Sequence, residues 1–188
     1  MAMMDVRMEA LVCGSDGTTL GRVWAMVLVE QGRDILLAQV LVAGGALERD
    51  ALLPFALLAR SSGQRLELTV TKTEALAWAA NAPLPGGIRL DRADPVWALD
   101  GRLGQLRGCY VDEAGTVSDL LVNDELAHQL GLVSIRAIDE LAPHRIQLRS
   151  RISELGELLR PTQALYQPVE LRSEAERFAH DQIVIEAH

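Results

Sequence analysis

The sequence predicts an all-β protein made of two small tandem β-barrels, each with a short helical turn at its C-terminal end. A C-terminal arm with a short helix follows the second barrel. Three observations predict this fold. Short apolar runs alternate with turn residues along most of the 188-residue chain, the second half repeats the order of the first, and a Pro/Gly-rich segment separates the halves. Many short strands with glycine-containing turns favour a small barrel or sandwich.

The first half contains five strand-like runs bounded by turn residues, over residues 8–13, 20–29, 34–42, 52–58 and 65–71. In the last run Leu66, Leu68 and Val70 alternate with polar residues, which is the period-two pattern of a half-buried strand. Pro54 makes its own run an edge or bent strand, because proline cannot donate to a ladder. A short helix follows over residues 73–78.

The second half repeats this order, which indicates a duplication. Val96–Gly101 stands where Val12–Gly17 stands in the first half, and Ala51–Trp78 aligns with Gly131–Leu158 without a gap. Identity is low, but apolar positions and turns keep their order. We therefore predict a first barrel over residues 6–78, a linker over 79–94, a second barrel over 95–159 and an arm over 160–188.

Asp-Gly and Leu-Gly pairs recur at the start of each repeat. An aspartate beside a turn glycine bonds its own backbone, and glycine accepts unusual backbone angles. These roles account for the residues without phosphate binding or catalysis. We predict structural turns at Asp16, Gly17, Gly21, Asp100, Gly101 and Gly104.

Together these motifs resemble the PRC-barrel family. The first repeat carries the motifs Asp16-Gly17, Leu20-Gly21-Arg22-Val23, Gly44-Gly45 and Leu53-Pro54-Phe55. The second keeps Asp100-Gly101 and Leu103-Gly104, but has Val133-Ser134-Ile135 in place of Leu-Pro-Phe and lacks the Gly-Gly pair. The family includes the cytoplasmic domain of the photosynthetic reaction-centre H subunit and the C-terminal domain of a ribosome maturation factor. The resemblance implies a non-catalytic binding or assembly module, but it does not transfer a partner, since one fold hosts many functions.

We expect no catalytic residue, metal site or cofactor. The sequence has no nucleophile elbow, P-loop or Rossmann glycine pattern. The histidines lack metal-ligand spacing on a shared element; they are His128, His144, His180 and His188. Ligand-type side chains cluster in the tail, where we expect them to be solvated. Cys13 and Cys109 lie in strand-like runs and are expected to be buried structural thiols.

Two groups of side chains are candidates for interaction. Arg145 and Arg149 share a strand face by the period-two rule, and with Arg151 they form the best local basic cluster. We expect the three tryptophans, Trp24, Trp78 and Trp97, to pack in the cores or between the barrels. A tryptophan exposed instead would be a binding anchor.

The sequence leaves three alternative functions. The first is an adaptor or scaffold that binds an unknown protein partner or itself. The second is an RNA-processing or ribosome-assembly factor that uses the Arg145–Arg149–Arg151 face, although a net charge of -8 disfavours phosphate backbones. The third binds a small ligand in the groove between the barrels. No apolar run is long enough to span a membrane, the N-terminus lacks signal-peptide features, and we expect a cytoplasmic protein. The tail is either a docking arm or the start of a further domain.

Overall fold

The computed structural model describes residues 3–44, 50–81, 86–124, 129–155 and 160–161. Within these ranges the chain forms 15 β-strands and two short α-helices. The strands assemble into one seven-stranded and one eight-stranded sheet. The all-β class expected from the sequence is therefore confirmed.

The two halves contain the same elements in the same order. The first half comprises β1 (Met4–Arg7), β2 (Leu11–Cys13), β3 (Thr19–Gln31), β4 (Asp34–Ala43), β5 (Ala51–Pro54), a 3-10 turn (Phe55–Leu57), β6 (Leu58–Ser61), β7 (Arg65–Leu68) and α1 (Lys72–Asn81). The second half comprises β8 (Ile88–Asp91), β9 (Pro95–Ala98), β10 (Gly101–Val111), β11 (Val117–Asp124), β12 (Gln129–Ser134), a 3-10 turn (Ile135–Ala137), β13 (Ile138–Ala142), β14 (Arg145–Leu148) and α2 (Ile152–Leu155). A two-residue strand, β15 (Arg160–Pro161), follows.

Each repeat builds one sheet with the same topology. The first sheet has the order β5-β4-β3-β2-β7-β6, and the second has β13-β14-β9-β10-β11-β12-β15. The β2–β7 and β9–β14 pairs are parallel, and the other ladders are antiparallel. No ladder between described residues joins β5 to β6 or β12 to β13. These outer strands are connected instead through the 3-10 turns, so hydrogen bonds between the described residues do not close either sheet into the barrel expected from the sequence.

The first strand of each half joins the sheet of the other half. β1 pairs with β10, which places Val6 opposite Cys109. β8 pairs with β3, which places Leu90 opposite Met26. Because β1 and β8 hold the same position in the two repeats, the exchange is reciprocal. The repeats are consequently interlocked rather than joined in series.

The chain crosses between the sheets in the same way on both sides. The N–H of Met8 donates to the carbonyl of Arg107 at 2.8 Å, and the equivalent N–H of Arg92 donates to the carbonyl of Trp24 at 3.2 Å. Each crossing contains one residue with backbone angles in the left-handed region, Glu9 in the first crossing and Ala93 in the second. That conformation is unfavourable without glycine, and its recurrence indicates that it belongs to the crossing itself.

The exchange changes the domain boundaries expected from the sequence. The segment 79–94, expected to be a linker, contains the end of α1 at Asn81 and all of β8. Leu90 is fully buried, so β8 is an integral strand of the first sheet. Of the expected arm, only residues 160–161 are described, and they pair with β12. Residues 82–85 of the linker and 162–188 of the arm lie outside the described residues.

Three of the four glycines expected in turns belong to strands: Gly101 is the first residue of β10, and Gly21 and Gly104 lie inside strands. Gly17 does occupy a turn, with φ of 75°. Gly21 lies in β3, where a Cβ atom would stand 2.6 Å from the carbonyl oxygen of Ala43. Gly104 lies in β10, where a Cβ atom would overlap the carbonyl oxygen of Asn123. Glycine is needed at both strand positions because the neighbouring strand passes too close for a side chain.

The two turn aspartates have different partners. Asp16 accepts a hydrogen bond from the N–H of Thr18 at 3.1 Å, which is the local turn bond expected from the sequence. Asp100 accepts instead from the N–H of Ile152 at 2.8 Å, at the start of α2. Gly101, which follows it, is the first residue of β10. Asp100 therefore ties the helical turn to the sheet.

One contiguous apolar core runs through both repeats. The exchanged side chains Val6 and Leu90 are fully buried in it. Cys13 and Cys109 are both free and buried, which confirms that they are structural thiols. Burial, and secondarily the charge of Asp5, raises the pKa of the Cys109 thiol well above its usual range. The reactive thiolate is therefore disfavoured there.

Candidate interaction surface

The three tryptophans are all exposed, so the expectation that they pack in the cores or between the barrels is wrong. The exposed fraction is 47% for Trp24, 55% for Trp78 and 39% for Trp97. Trp97 lies between Val96 and Ala98, which are both buried. Since alternate residues of a strand point to opposite faces, this pattern directs Trp97 outward. Val96, Trp97, Ala98 and Leu99 are all apolar, so the sequence offered no alternation of polar and apolar residues that would have revealed this exposure.

Trp97 lies on the outer face of the second sheet, with polar side chains on both neighbouring strands. Arg102 on β10 is directly opposite Trp97, and Gln147 on β14 is its neighbour on the other side. Side chains opposite each other across a ladder lie on the same face. The side-chain N–H of Gln147 also donates to the carbonyl of Trp97 at 3.4 Å. Leu99, two residues further on, is 61% exposed.

Arg145 and Arg149 flank Gln147 at a spacing of two residues, and both are exposed. This is the shared face that the period-two rule predicts for these arginines. Each of the two arginines has a carboxylate neighbour on β13. Arg149 Nε lies 3.4 Å from Asp139 Oδ1, and Arg145 Nε lies 4.0 Å from Glu140 Oε2. Exposed pairs of this kind contribute little to stability, so the arginines can exchange these partners for those of a bound molecule.

Arg151 lies at the end of the same segment, next to α2. Its side chain is exposed, and its backbone N–H donates to Glu154 Oε2 at 3.0 Å. The structure therefore brings all three arginines of the sequence-based cluster to the surface of the second repeat. We call the surface formed by these residues and their neighbours the Trp97 face. Its members are Trp97, Leu99, Arg102, Arg145, Gln147, Arg149 and Arg151.

The first repeat provides an internal comparison for the Trp97 face. Cys13, which corresponds to Trp97, lies opposite Thr19 and beside Glu67 in the same two ladders. Ser15 takes the place of Leu99, and its N–H donates to the carbonyl of Val70 just after β7, as the N–H of Leu99 donates to that of Ser150 just after β14. The remaining counterparts are Arg65, Thr69 and Thr71. The fold thus does not require the residues of the Trp97 face, since the first repeat has a buried cysteine in place of tryptophan, serine in place of leucine and one arginine in place of four.

A cleft of about 520 Å³ lies beside this surface, between the β3–β4 hairpin and the second repeat. Both repeats contribute to it, as the expectation of a groove between the barrels requires. Its lining includes Glu30, Arg33, Ile35, Ile135, Asp139 and Arg149. Arg149 therefore belongs both to the cleft and to the Trp97 face.

The described residues offer no group of three or more His, Cys, Asp or Glu side chains that could hold a metal ion. His144 lies within the described residues, and its Nδ1 is 3.1 Å from Asp94 Oδ1. The other three histidines and the ligand-type residues of the tail lie outside the described residues.

In the part of the chain that the structure describes, neither helix has the length and apolar character needed to cross a bilayer. No protein-family model matches this sequence, and no curated protein matches it.

Proposed function

We propose that this protein is a non-catalytic adaptor of the PRC-barrel type that binds a protein partner through the Trp97 face. The observation that carries the proposal is the exposed pair Trp97 and Leu99 among arginines. Tryptophan and arginine are the residues that most often dominate the energy of protein interfaces. A buried ring releases water from a large apolar area, while its N–H can bond a polar group of the partner.

The charges of the Trp97 face favour a partner segment that is acidic and contains at least one aliphatic side chain. Arg102, Arg145 and Arg149 surround the apolar centre. A guanidinium group binds a carboxylate through two parallel hydrogen bonds. Trp97 and Leu99 would then cover the aliphatic side chain, so the face selects for both features together.

The contacts of the arginines favour protein over RNA as the partner. Arg145 and Arg149 already have Glu140 and Asp139 beside them. A phosphate backbone carries a charge at every nucleotide, so it would meet these carboxylates as well as the arginines, and a net charge of -8 repels such a continuous polyanion at longer range. An acidic protein segment with one or two carboxylates can place them at the arginines alone. RNA binding through the same face is the second candidate function. Nuclease treatment distinguishes it from binding of a protein partner.

The motif order Asp-Gly, Leu-Gly and Leu-Pro-Phe supports the family part of the proposal, and the matching order of elements in the two halves supports the duplication. The proposal also places the protein in the cytoplasm. Cys13 and Cys109 are free thiols, as is usual in a reducing compartment.

The experiment compares two tryptophan variants in affinity capture from cell lysate. Trp97→Thr removes the centre of the face but keeps a residue that favours strands. Trp24→Thr is the matched control, because Trp24 is an exposed tryptophan at the centre of the other sheet. Capture is performed with nuclease and at raised salt, and thermal melting checks that both variants fold.

We expect a protein that binds the wild type and the Trp24→Thr variant but not Trp97→Thr. For a central anchor residue the loss should be about 2 kcal/mol or more, or roughly thirtyfold in Kd. Equal binding by all three proteins would overturn the assignment of the face. Loss of all captured material with nuclease would instead favour the RNA alternative.

A further inference from the structure

A second pocket, of about 470 Å³, lies where the chain crosses between the two sheets. We call it the crossover pocket. Its volume falls within the range of small-molecule sites. Residues of the crossing segments line it together with residues of β10, β11 and β12. It shares no residue with the Trp97 face, so what it binds is independent of the function proposed above.

We propose that the crossover pocket binds a small organic anion with a carboxylate or phosphate headgroup. Three arginines line the pocket, Arg7, Arg92 and Arg107, against one lining carboxylate, Glu9. The pocket is therefore a local positive site on a chain whose net charge is -8. The amide of Asn123 adds a neutral hydrogen-bonding group to the same wall.

Arg107 is the centre of the proposed site because its charge is not neutralised within the described structure. Arg7 Nε is bound to Asp5 Oδ2 at 2.7 Å, and Arg92 Nη1 is bound to Glu9 Oε1 at 2.5 Å. Arg107 contacts only the neutral amide oxygen of Gln105, at 3.4 Å, among the described side chains.

Arg107 is also only partly exposed. A partly desolvated guanidinium without a counter-charge gains more from an anion than a solvated one does. Its planar group carries five N–H donors, so most of them remain available to a carboxylate or phosphate.

The pseudo-symmetry of the fold shows that this polar lining is not a structural requirement. The position equivalent to Arg107 holds Trp24, and the position equivalent to Asn123 holds Ala43. Arg7 corresponds to Asp91, which reverses the charge. Both crossings nevertheless make the same backbone hydrogen bonds. Arg7 and Arg107 are therefore a property of one crossing alone, and Arg92 lines the pocket from the other crossing.

The apolar part of the lining suggests the rest of the ligand. Leu130 on β12 is half-buried at the wall of the pocket. A ligand with its anionic headgroup at Arg107 and a short apolar portion against Leu130 would neutralise the arginine and cover the leucine. Such a molecule is either a fatty-acid-like carboxylate or a phosphate ester, and the two are distinguished by experiment.

The test is calorimetric titration of the whole chain with sodium pyrophosphate and, separately, with sodium hexanoate, at constant ionic strength. Arg107→Gln keeps most of the side-chain length and removes the charge. Arg60→Gln is the control, because Arg60 is a highly exposed arginine that pairs with Glu67 and is not among the residues that line the pocket. Asn123→Ala, which copies the first repeat, is a second variant in case Arg107→Gln does not fold.

We expect saturable binding of at least one probe, about tenfold weaker in Arg107→Gln, weaker in Asn123→Ala and unchanged in Arg60→Gln. Binding of pyrophosphate alone would assign a phosphate ligand, and binding of hexanoate alone a carboxylate with an apolar tail. Absence of saturable binding of either probe to the wild type would overturn the proposal, as would equal binding by the wild type and the pocket variants.

Discussion

Met26 Sδ and Cys109 Sγ lie 3.5 Å apart, and the two residues hold the same position in the two repeats. Met26 lies opposite Leu90 in the β3–β8 ladder, and Cys109 lies opposite Val6 in the β1–β10 ladder. Both side chains are fully buried. Equivalent strands of the repeats therefore meet at this contact, and the two sheets share one core there.

Truncation of Met26 should destabilise the whole protein. We expect Met26→Ala to lower the free energy of unfolding by about 2–5 kcal/mol, because it leaves a cavity in the shared core. Met3→Ala removes the same atoms from a side chain that is 45% exposed, and it should change stability by less than about 0.5 kcal/mol. Urea denaturation measures both values. Similar losses in the two variants would contradict a core centred on the Met26–Cys109 contact.

The strand exchange makes a prediction about where a mutation acts. Val6→Ala should lower stability by about 1.5–3 kcal/mol, because Val6 is fully buried. Although Val6 belongs to the first repeat, its partner Cys109 belongs to the second. Hydrogen exchange followed by mass spectrometry should therefore show faster exchange in β10 than in β2 or β3. Faster exchange confined to β2 and β3 would contradict the exchange of strands.

Gly104 should not tolerate a side chain. A Cβ atom there would overlap the carbonyl oxygen of Asn123 on the paired strand, so Gly104→Ala should cost about 1–3 kcal/mol. Gly86 has no atom within 4 Å of its Cβ position, and Gly86→Ala should change stability by less than about 0.5 kcal/mol. Thermal melting of the two variants compares them directly. Equal melting temperatures would show that the β10–β11 spacing described here is wrong.

The start of α1 should make stability depend on pH. Glu74 accepts hydrogen bonds from the backbone N–H and hydroxyl of Thr71, at 2.9 and 2.8 Å, and these bonds lower the pKa of Glu74. Because the pKa of Glu74 is lower in the folded than in the unfolded chain, ionised Glu74 stabilises the fold at pH values above the ordinary pKa of about 4.3. This stabilisation is lost as the pH falls through the folded pKa.

Glu74→Gln should therefore melt below the wild type near pH 7, and the difference should shrink toward pH 3. Glu113→Gln, at an exposed site in the β10–β11 hairpin, serves as the control and should melt like the wild type. A Glu74→Gln difference that stays constant over this range would contradict the assignment.

Local patterns in the sequence were sufficient to predict strands but not their partners. The alternation of Ile88, Arg89 and Leu90 is a strand signal, yet the neighbouring prolines and glycines favoured a linker. Which sheet such a strand joins depends on how the two repeats cross, and no short-range pattern encodes that choice. The duplication was predictable because apolar spacing survives when identity does not.

The candidate site was predicted in part for a similar reason. Arg145 and Arg149 could be placed on one face from their spacing alone. Trp97 was assigned to the core by size and hydrophobicity, although its buried neighbours Val96 and Ala98 indicate the opposite face. The crossover pocket could not be anticipated, since Arg7 and Arg107 meet only because β1 pairs with β10.

Site-specific photo-crosslinking shows whether the Trp97 face contacts a protein partner. A photoreactive phenylalanine derivative is introduced at position 97, and at position 24 in a second protein as the matched site. We expect a discrete crosslinked protein species from position 97 and none of the same size from position 24. The same adduct from both positions, or none from position 97, would exclude a specific protein contact at the Trp97 face.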